Sequence, residues 1–336
     1  MAGTRRFGLA AIVLLLASFG PAAADPLKIR IGWSTMPGHM IPVLFLNPKI
    51  LRHYGQSYTV EPVSFRGSSP QLTAMAAGEV DLMASSPGTL ALAVSNAGLD
   101  VKVVADIIQD GVPGFHTETW LVLADSGITT PAQLKGKRIG TNAIGSAADT
   151  AMRAVMFKAG LQDRRDFVTI QAAFANMLAL LDDKKIDSGP ILQPMLSEAL
   201  KTSKYRRLFT SKDGIGRTDL VFLIGETGFL AKNRAAVQDC IEDYVRAQRW
   251  FADPVNRPEA TRIIADFMKI PPAQLSHLWT ENDYYRDPYT VPDLVALQNG
   301  VNIAHDVGLI PEATNVAKYS DLSFVEEATR RIKASP

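Results

Sequence analysis

The sequence predicts an α/β protein made of two similar halves, and three observations carry that prediction. Short β-rich runs alternate with helical ones from Leu27 onward, the pattern of α/β architecture with largely parallel sheets. Each half contains a strand, a small Ser/Pro turn, a helix, and then a related segment, "GEVDLMASSP" in the first and "KKIDSGPILQP" in the second. The chain crosses between halves at "DGVPGFHTETWL" and returns at "DLVFLIGETGFL", so the domain organisation is discontinuous and both crossings are candidate hinges.

In order, "LKIRIGW" (Leu27 to Trp33) is the first strand, followed by the turn "STMPGHMIP" and a helical stretch ending near Tyr54-Gly55. "YTVEPVSF" is the second strand. "SSPQLTAMAAGE" is a helix with Ser69 as N-cap and Pro70 in its first turn. "VDLMAS" is a short buried strand, and the next helix enters at Pro87 and closes at Gly98, before the strand "VKVVADII". The second half opens with the strands "TWLVLA" and "KRIGTN" around a short helix "TPAQL"; Gly145-Ser146 then starts a helix that Gly160 ends. "FVTIQAA", the helix "NMLALLDDKK", the strand "IDSGPI" and a helix from about Gln193-Pro194 repeat the scheme. Beyond "VFLIGET", from Ala235 on, the periodicity is helical, with proline at several helix starts.

The 336 residues are 47% hydrophobic and 21% charged, enough for a sizeable core. Lys+Arg number 35 against Asp+Glu 34, so no global charge bias points to nucleic acid or a membrane surface. Any charge selectivity must be local. The segment "MAGTRRFGLAAIVLLLASFGPAAADP" has Arg5 and Arg6, an apolar run, and Ala22-Ala23-Ala24 before Asp25. It reads as a secretory signal over residues 1–24, its apolar run short of the roughly 20 residues needed to span a bilayer. The mature chain is expected in the periplasm. Cys240 is the single cysteine, which leaves no intrachain disulfide and no multi-Cys zinc site; it lies in a helical pattern as a small buried hydrophobe.

At "IRIGW", "LTAMAAGEVDLMASSPGTLALAVSNAG", "VKVVAD", "GITTPAQLKGKRIGTNAIGSAADTAMRAVMFKAGL" and "DDKKIDSGPILQP" the chain resembles the periplasmic substrate-binding proteins of ABC importers, of the nitrate/sulfonate/taurine type. The resemblance spans nearly the whole mature chain. It implies a two-lobed type II periplasmic-binding-protein fold: two α/β domains joined by two crossing strands, with a ligand cleft between them that closes on binding. Lobe 1 is then residues 25–113 plus 225–336, and lobe 2 is 114–224. The implied partners are a small organic anion and a membrane permease with its ATPase, for a monomer with no cofactor and no nucleic acid.

In open α/β sheets ligands bind beyond the carboxyl ends of strands, where helix N-termini aim free N–H groups. Such turns occur at Trp33-Ser34-Thr35, at Arg66-Gly67-Ser68-Ser69, at Ser85-Ser86-Pro87, at Asn142 to Gly145-Ser146 and at Ser188-Gly189-Pro190. Each turn alone is ordinary helix capping; five in positions matching the family's ligand loops point to a cleft site for a carboxylate, sulfonate or nitrate. Arg66 stands where a helix dipole repels a cation and attracts an anion, so it either faces solvent or helps to hold something negative. The family pattern has no Arg there, but a guanidinium can grip a carboxylate or sulfonate by two parallel hydrogen bonds. Trp33, Phe115 and Phe174, with Asn176 beside the last, border these turns and favour an organic body over nitrate. Core packing is the commoner role for such a Phe as Phe174. His39 and His116 could each supply a neutral or pH-dependent hydrogen bond.

Other function classes are weaker. Relatives of the fold include a pyrimidine synthase of thiamine biosynthesis with a cysteine-rich motif, which this chain lacks; binding of a pyrimidine precursor is an alternative, as is a periplasmic sensing role. Gly-x-Ser-x-Gly, His-Glu-x-x-His and Walker motifs are absent, and Asp182-Asp183 beside Lys184-Lys185 reads as a solvated charged run. The chain is not expected to be an enzyme.

Overall fold

A computed structural model describes residues 25–335; the expected signal segment, 1–24, lies outside the described residues. The first sheet has five strands in the order β2-β1-β3-β10-β4. Its members are β1 (Leu27–Trp33), β2 (Tyr58–Ser64), β3 (Leu82–Ser85), β4 (Val101–Asp110) and β10 (Thr218–Glu226). β1 runs parallel to β2 and β3, and β10 runs antiparallel to both β3 and β4.

The second half repeats this arrangement. β5 (Thr119–Leu123) is antiparallel to both β8 (Gly189–Ile191) and β9 (Tyr205–Thr210), while β6 (Arg138–Thr141) is parallel to β7 (Val168–Gln171). A parallel bridge between Ile139 and Ser188, with Gly140 N–H donating to Ser188 O at 2.7 Å, joins the two pieces into the order β7-β6-β8-β5-β9. Position by position this is the order of the first sheet. In each lobe one strand delivered from the other lobe is inserted antiparallel, so the sheets are mixed and not largely parallel as the alternation alone suggests.

Each sheet is covered on both faces. In the first, β1, β4 and β10 pack on one side against the long helix Arg234–Ala252 and the C-terminal helix Ser323–Ala334 through Ile31, Val104, Ile241, Val245 and Phe324. Met83, Val103 and Phe222 face helices Pro87–Ser95 and Leu294–Asp306 on the other. In the second sheet Trp120 and Ile139 bury against helix Ala147–Lys158, and Leu121 and Ile191 against Met177 and Leu181. Cys240 is sealed in the first core, where burial pushes its thiol well above the ordinary range. Among the described residues no helix is long and apolar enough to cross a membrane.

Three local expectations need correction. The segment before Tyr54 forms only the short helix Ile41–Leu44 and a 3-10 turn Pro48–Ile50. The helix at Ser68–Ala76 is capped by Gly67, and Ser69 sits inside its first turn. The segment "DLVFLIGETGFL" is not the return crossing: residues 218–226 already hydrogen-bond in the first sheet, which leaves 211–217 as the crossing and places the expected boundary at 224 inside β10. A strand of this kind is delivered to its sheet by long-range pairing, which local pattern does not record.

Candidate functional site

Strand registers locate the space between the lobes. Because β10 is antiparallel to β3, its first residues lie at the carboxyl end of β3, with Phe222 opposite Ser85 and Thr218 opposite Asp110 at the end of β4. Likewise Thr119 at the start of β5 lies opposite Ile191 at the carboxyl end of β8. The strand ends of both sheets and both crossings therefore face one region.

There the lobes touch. Ser68 and Ser86, which start two helices of lobe 1, share a buried hydroxyl cluster with Thr89: Ser68 Oγ is 2.8 Å from Thr89 Oγ1 and 3.2 Å from Ser86 Oγ, and Ser86 Oγ is 3.0 Å from Thr89 Oγ1. Thr89 Oγ1 donates to Gly145 O of lobe 2 at 3.0 Å, and Ser69 Oγ donates to Ile144 O at 2.8 Å. Asn142 Nδ2 donates to Arg66 O at 2.9 Å, while its Oδ1 accepts from Ser146 Oγ at 2.6 Å. A Cβ on Gly67 would stand 2.6 Å from Asn142 Nδ2 and 3.3 Å from Ala143 Cβ, so the lobes approach closely here, while the backbone at 67 is extended. Gly145 is in the left-handed region, φ +79, and Gly145 N–H is held by Asp149 Oδ2 at 2.8 Å. The turns at 66–69, 85–87 and 142–146 are thus brought together.

The floor is made by the two crossings. Asp110 Oδ2 accepts from Glu118 N–H at 3.0 Å on the first and from Ser211 Oγ at 2.6 Å on the second, and Ser211 N–H donates to Glu118 O at 2.9 Å. Burial, opposed by the Ser211 hydroxyl, raises the Asp110 carboxyl above its ordinary range. Burial, reinforced by Asp110, pushes Glu118 up to about 8, so at neutral pH it is a neutral acid; its Oε2 is buried without a hydrogen-bond partner. Burial chiefly, then the charges of Glu118 and Asp110, raise the Tyr284 phenol well above its usual value. His116 packs edge-on to Tyr284 at 4.8 Å, its Nε2 is unpartnered, and burial pushes it down to about 4.

Ser34 N–H meets His39 Nδ1 at 3.3 Å and Thr35 O accepts from His39 N–H at 2.6 Å, so the turn after β1 folds on itself beside Tyr284, whose ring is 3.6 Å from a Cβ placed on Gly38. Burial and the charge of Arg286 push His39 down to about 3, which makes it a neutral ring. Trp33 packs into the first lobe's core, 5.9 Å from Phe267, with Nε1 buried and unpaired. Phe115 is 41% exposed and meets Tyr285 edge-on at 5.0 Å. Phe174 packs against the second lobe's core and Asn176 is exposed. Ser188 and Gly189 are not in a turn at the cleft: Ser188 pairs with Ile139 and Gly189 begins β8, where a Cβ would stand 2.8 Å from Ile186 Cδ1. The turn that follows the carboxyl end of that strand is Leu192-Gln193-Pro194. Arg66 contributes its carbonyl between the lobes, and its exposed guanidinium lines a groove of about 460 Å³ with Ser69, Thr73, Ile144 and Gln171. The sequence reading missed Thr89, Asp110, Glu118 and Tyr284; an acid heading the apolar run "TWLVL" directly after a crossing is the one signal it offered.

The profile of the family described as NMT1/THI5 like matches residues 60–256, more than half of the chain. The chain belongs to the NMT1/THI5-like family. The structure is similar to the alkanesulfonate-binding protein SsuA from Xanthomonas axonopodis pv. citri bound to MOPS, with a TM-score of 0.71 and 23% identity over 89% of this chain and 100% of that one. It is similar also to the periplasmic nitrate-binding protein NrtA from Synechocystis PCC 6803 (TM-score 0.73, 13% identity, 92% and 90% covered). The desulfurization enzyme DSZB shares the fold at a TM-score of 0.62 and 14% identity, over 91% of this chain and 99% of that one. No curated protein matches the sequence. At these identities the likenesses establish the fold of this NMT1/THI5-like chain, the two-lobed periplasmic-binding-protein type, which supports both binding and catalysis.

Proposed function

We propose that this NMT1/THI5-like protein captures a small organic anion between its lobes in the periplasm and, as a monomer, delivers it to an ABC permease. The observation that carries the reading is the buried convergence of Ser68, Ser86 and Thr89 from lobe 1 on Gly145 of lobe 2, at the starts of helices whose free N–H groups favour negative charge. Arg66 is the single cation in the five turns and stands at the rim of this contact. The buried acid at the floor is compatible with an anion because Glu118, neutral below about pH 8, presents a proton to donate. Binding without thiol chemistry is favoured because the one thiol, Cys240, is sealed in the core of lobe 1.

The test is a thermal-shift screen of the chain from Asp25 onward against nitrate, taurine, alkyl sulfonates, aromatic carboxylates and sulfonates, and pyrimidines. A solute at a hundred times its dissociation constant adds about 2.7 kcal/mol of stability. A raised melting temperature with an organic anion is expected; response to uncharged pyrimidines only, or to none of the set, rejects the assignment.

A further inference from the structure

On lobe 1, away from the strand ends, a groove of about 570 Å³ is bounded by Lys49, Arg52, Arg246, Arg249 and Lys333. Five of its nine lining residues are cationic and none is acidic, in a chain whose formal net charge is only +1. The cations come from three separate stretches: the 3-10 turn Pro48–Ile50 and its successor, the long helix Arg234–Ala252, and the C-terminal helix Ser323–Ala334. Arg246 is balanced by Glu242 at 2.8 Å, and Arg52 Nη1 donates to Ser335 Oγ at 2.9 Å. Lys49, Arg249 and Lys333 have no ion pair among the described residues.

The groove also has an aromatic wall. Arg249 lies 4.6 Å and Lys333 Nζ 5.4 Å from the centroid of the Tyr289 ring, so one phenol gathers two like charges at the same place. Tyr289 is held by its N–H to Asp287 Oδ1 at 2.9 Å, and Trp250 adds further apolar surface. Arg249 and Lys333, gathered at one ring without an ion pair among the described residues, repel each other, a cost that a bound anion removes. The volume is that of a small-molecule pocket, and guanidinium forks with ammonium groups suit the oxygens of a phosphate.

We propose that this groove is a second binding site, separate from the interlobe region, for a small soluble phosphate-bearing anion with a flat or apolar body. Phenyl phosphate is the probe. In calorimetric titration of the chain from Asp25 onward, phenyl phosphate is expected to bind more tightly than inorganic phosphate, and phenol not at all. Arg249→Ala and Lys333→Glu, both at exposed positions, are each expected to weaken binding at least tenfold, while Lys137→Glu on lobe 2 leaves it within twofold. Equal effects of the three substitutions, or no binding of phenyl phosphate at millimolar concentration, overturn the proposal. Sedimentation with phosphatidylglycerol vesicles, abolished by Arg249→Ala in a protein that does not bind phenyl phosphate, overturns it in favour of a membrane headgroup.

Discussion

Replacing Glu118 by Gln isolates the energetic cost of the buried acid at the floor. In the unfolded chain a glutamic acid ionises near 4.5, whereas in the folded protein burial and Asp110 hold this one neutral up to about 8. Between those values the folded state keeps a proton that the unfolded state has released, so stability falls as pH rises from 4.5 to 8 and is constant beyond. At about 1.4 kcal/mol per pH unit the loss is about 3 kcal/mol at pH 7 and about 5 by pH 8. The amide has the same shape, retains donor and acceptor, and has no charge to lose. Urea unfolding of the two proteins at pH 4.5, 6, 7 and 8 is the assay. Glu118→Gln is expected to match the parent at pH 4.5 and to exceed it increasingly, by about 3 kcal/mol at pH 7. Asp110, also raised, is present in both proteins, so its share of the slope largely cancels in the difference. A stability difference that does not change with pH would refute the assignment of a neutral acid.

Three further outcomes follow from the geometry. Gly67→Ala places a methyl 2.6 Å from Asn142 Nδ2 without straining the extended backbone at 67; it is expected to leave each lobe folded but to hold the lobes apart, read as a larger radius of gyration in X-ray scattering with saturating solute. Arg66→Ala removes an exposed guanidinium and keeps the carbonyl that Asn142 uses, so affinity for an anionic solute should fall at least tenfold, about 1.5–3 kcal/mol for a charge-assisted contact, with thermal stability unchanged. Unaltered affinity in calorimetry would make Arg66 a surface residue. Asp106 and Asp219 are buried together and share a proton, Asp106 raised to about 7 by burial and Asp219 well above its usual range by burial and by Asp106. Each carboxyl keeps its proton in the folded protein where the unfolded chain has released it, so stability falls as pH rises above the ordinary carboxylate range, and Asp219→Asn, which removes one of the two, is expected to be less pH-sensitive than the parent between about pH 4 and 7 in urea unfolding.

What the sequence reveals of this molecule follows the range over which each feature is determined. Ser86-Pro87 announces a helix start because an extended cap and a first-turn proline are local requirements, and the helix does begin there. "SGP" at 188–190 has the same punctuation and is a strand, because Ile186 and Met177 crowd Gly189 and Trp120 pairs with Pro190. The antiparallel insertion of β10 between β3 and β4 joins residues more than a hundred positions apart, so its apolar run was legible but its sheet was not. Glu118 is the extreme case. In "FHTETW" it looks solvated, yet it is buried and perturbed by Asp110, its backbone is held by Ser211 on the other crossing, and its charge in turn acts on Tyr284 in the C-terminal part. The hydroxyl turns could be found because each is its own helix start; the acid beneath them exists as a site only where both crossings meet, and any local window contains at most one of them.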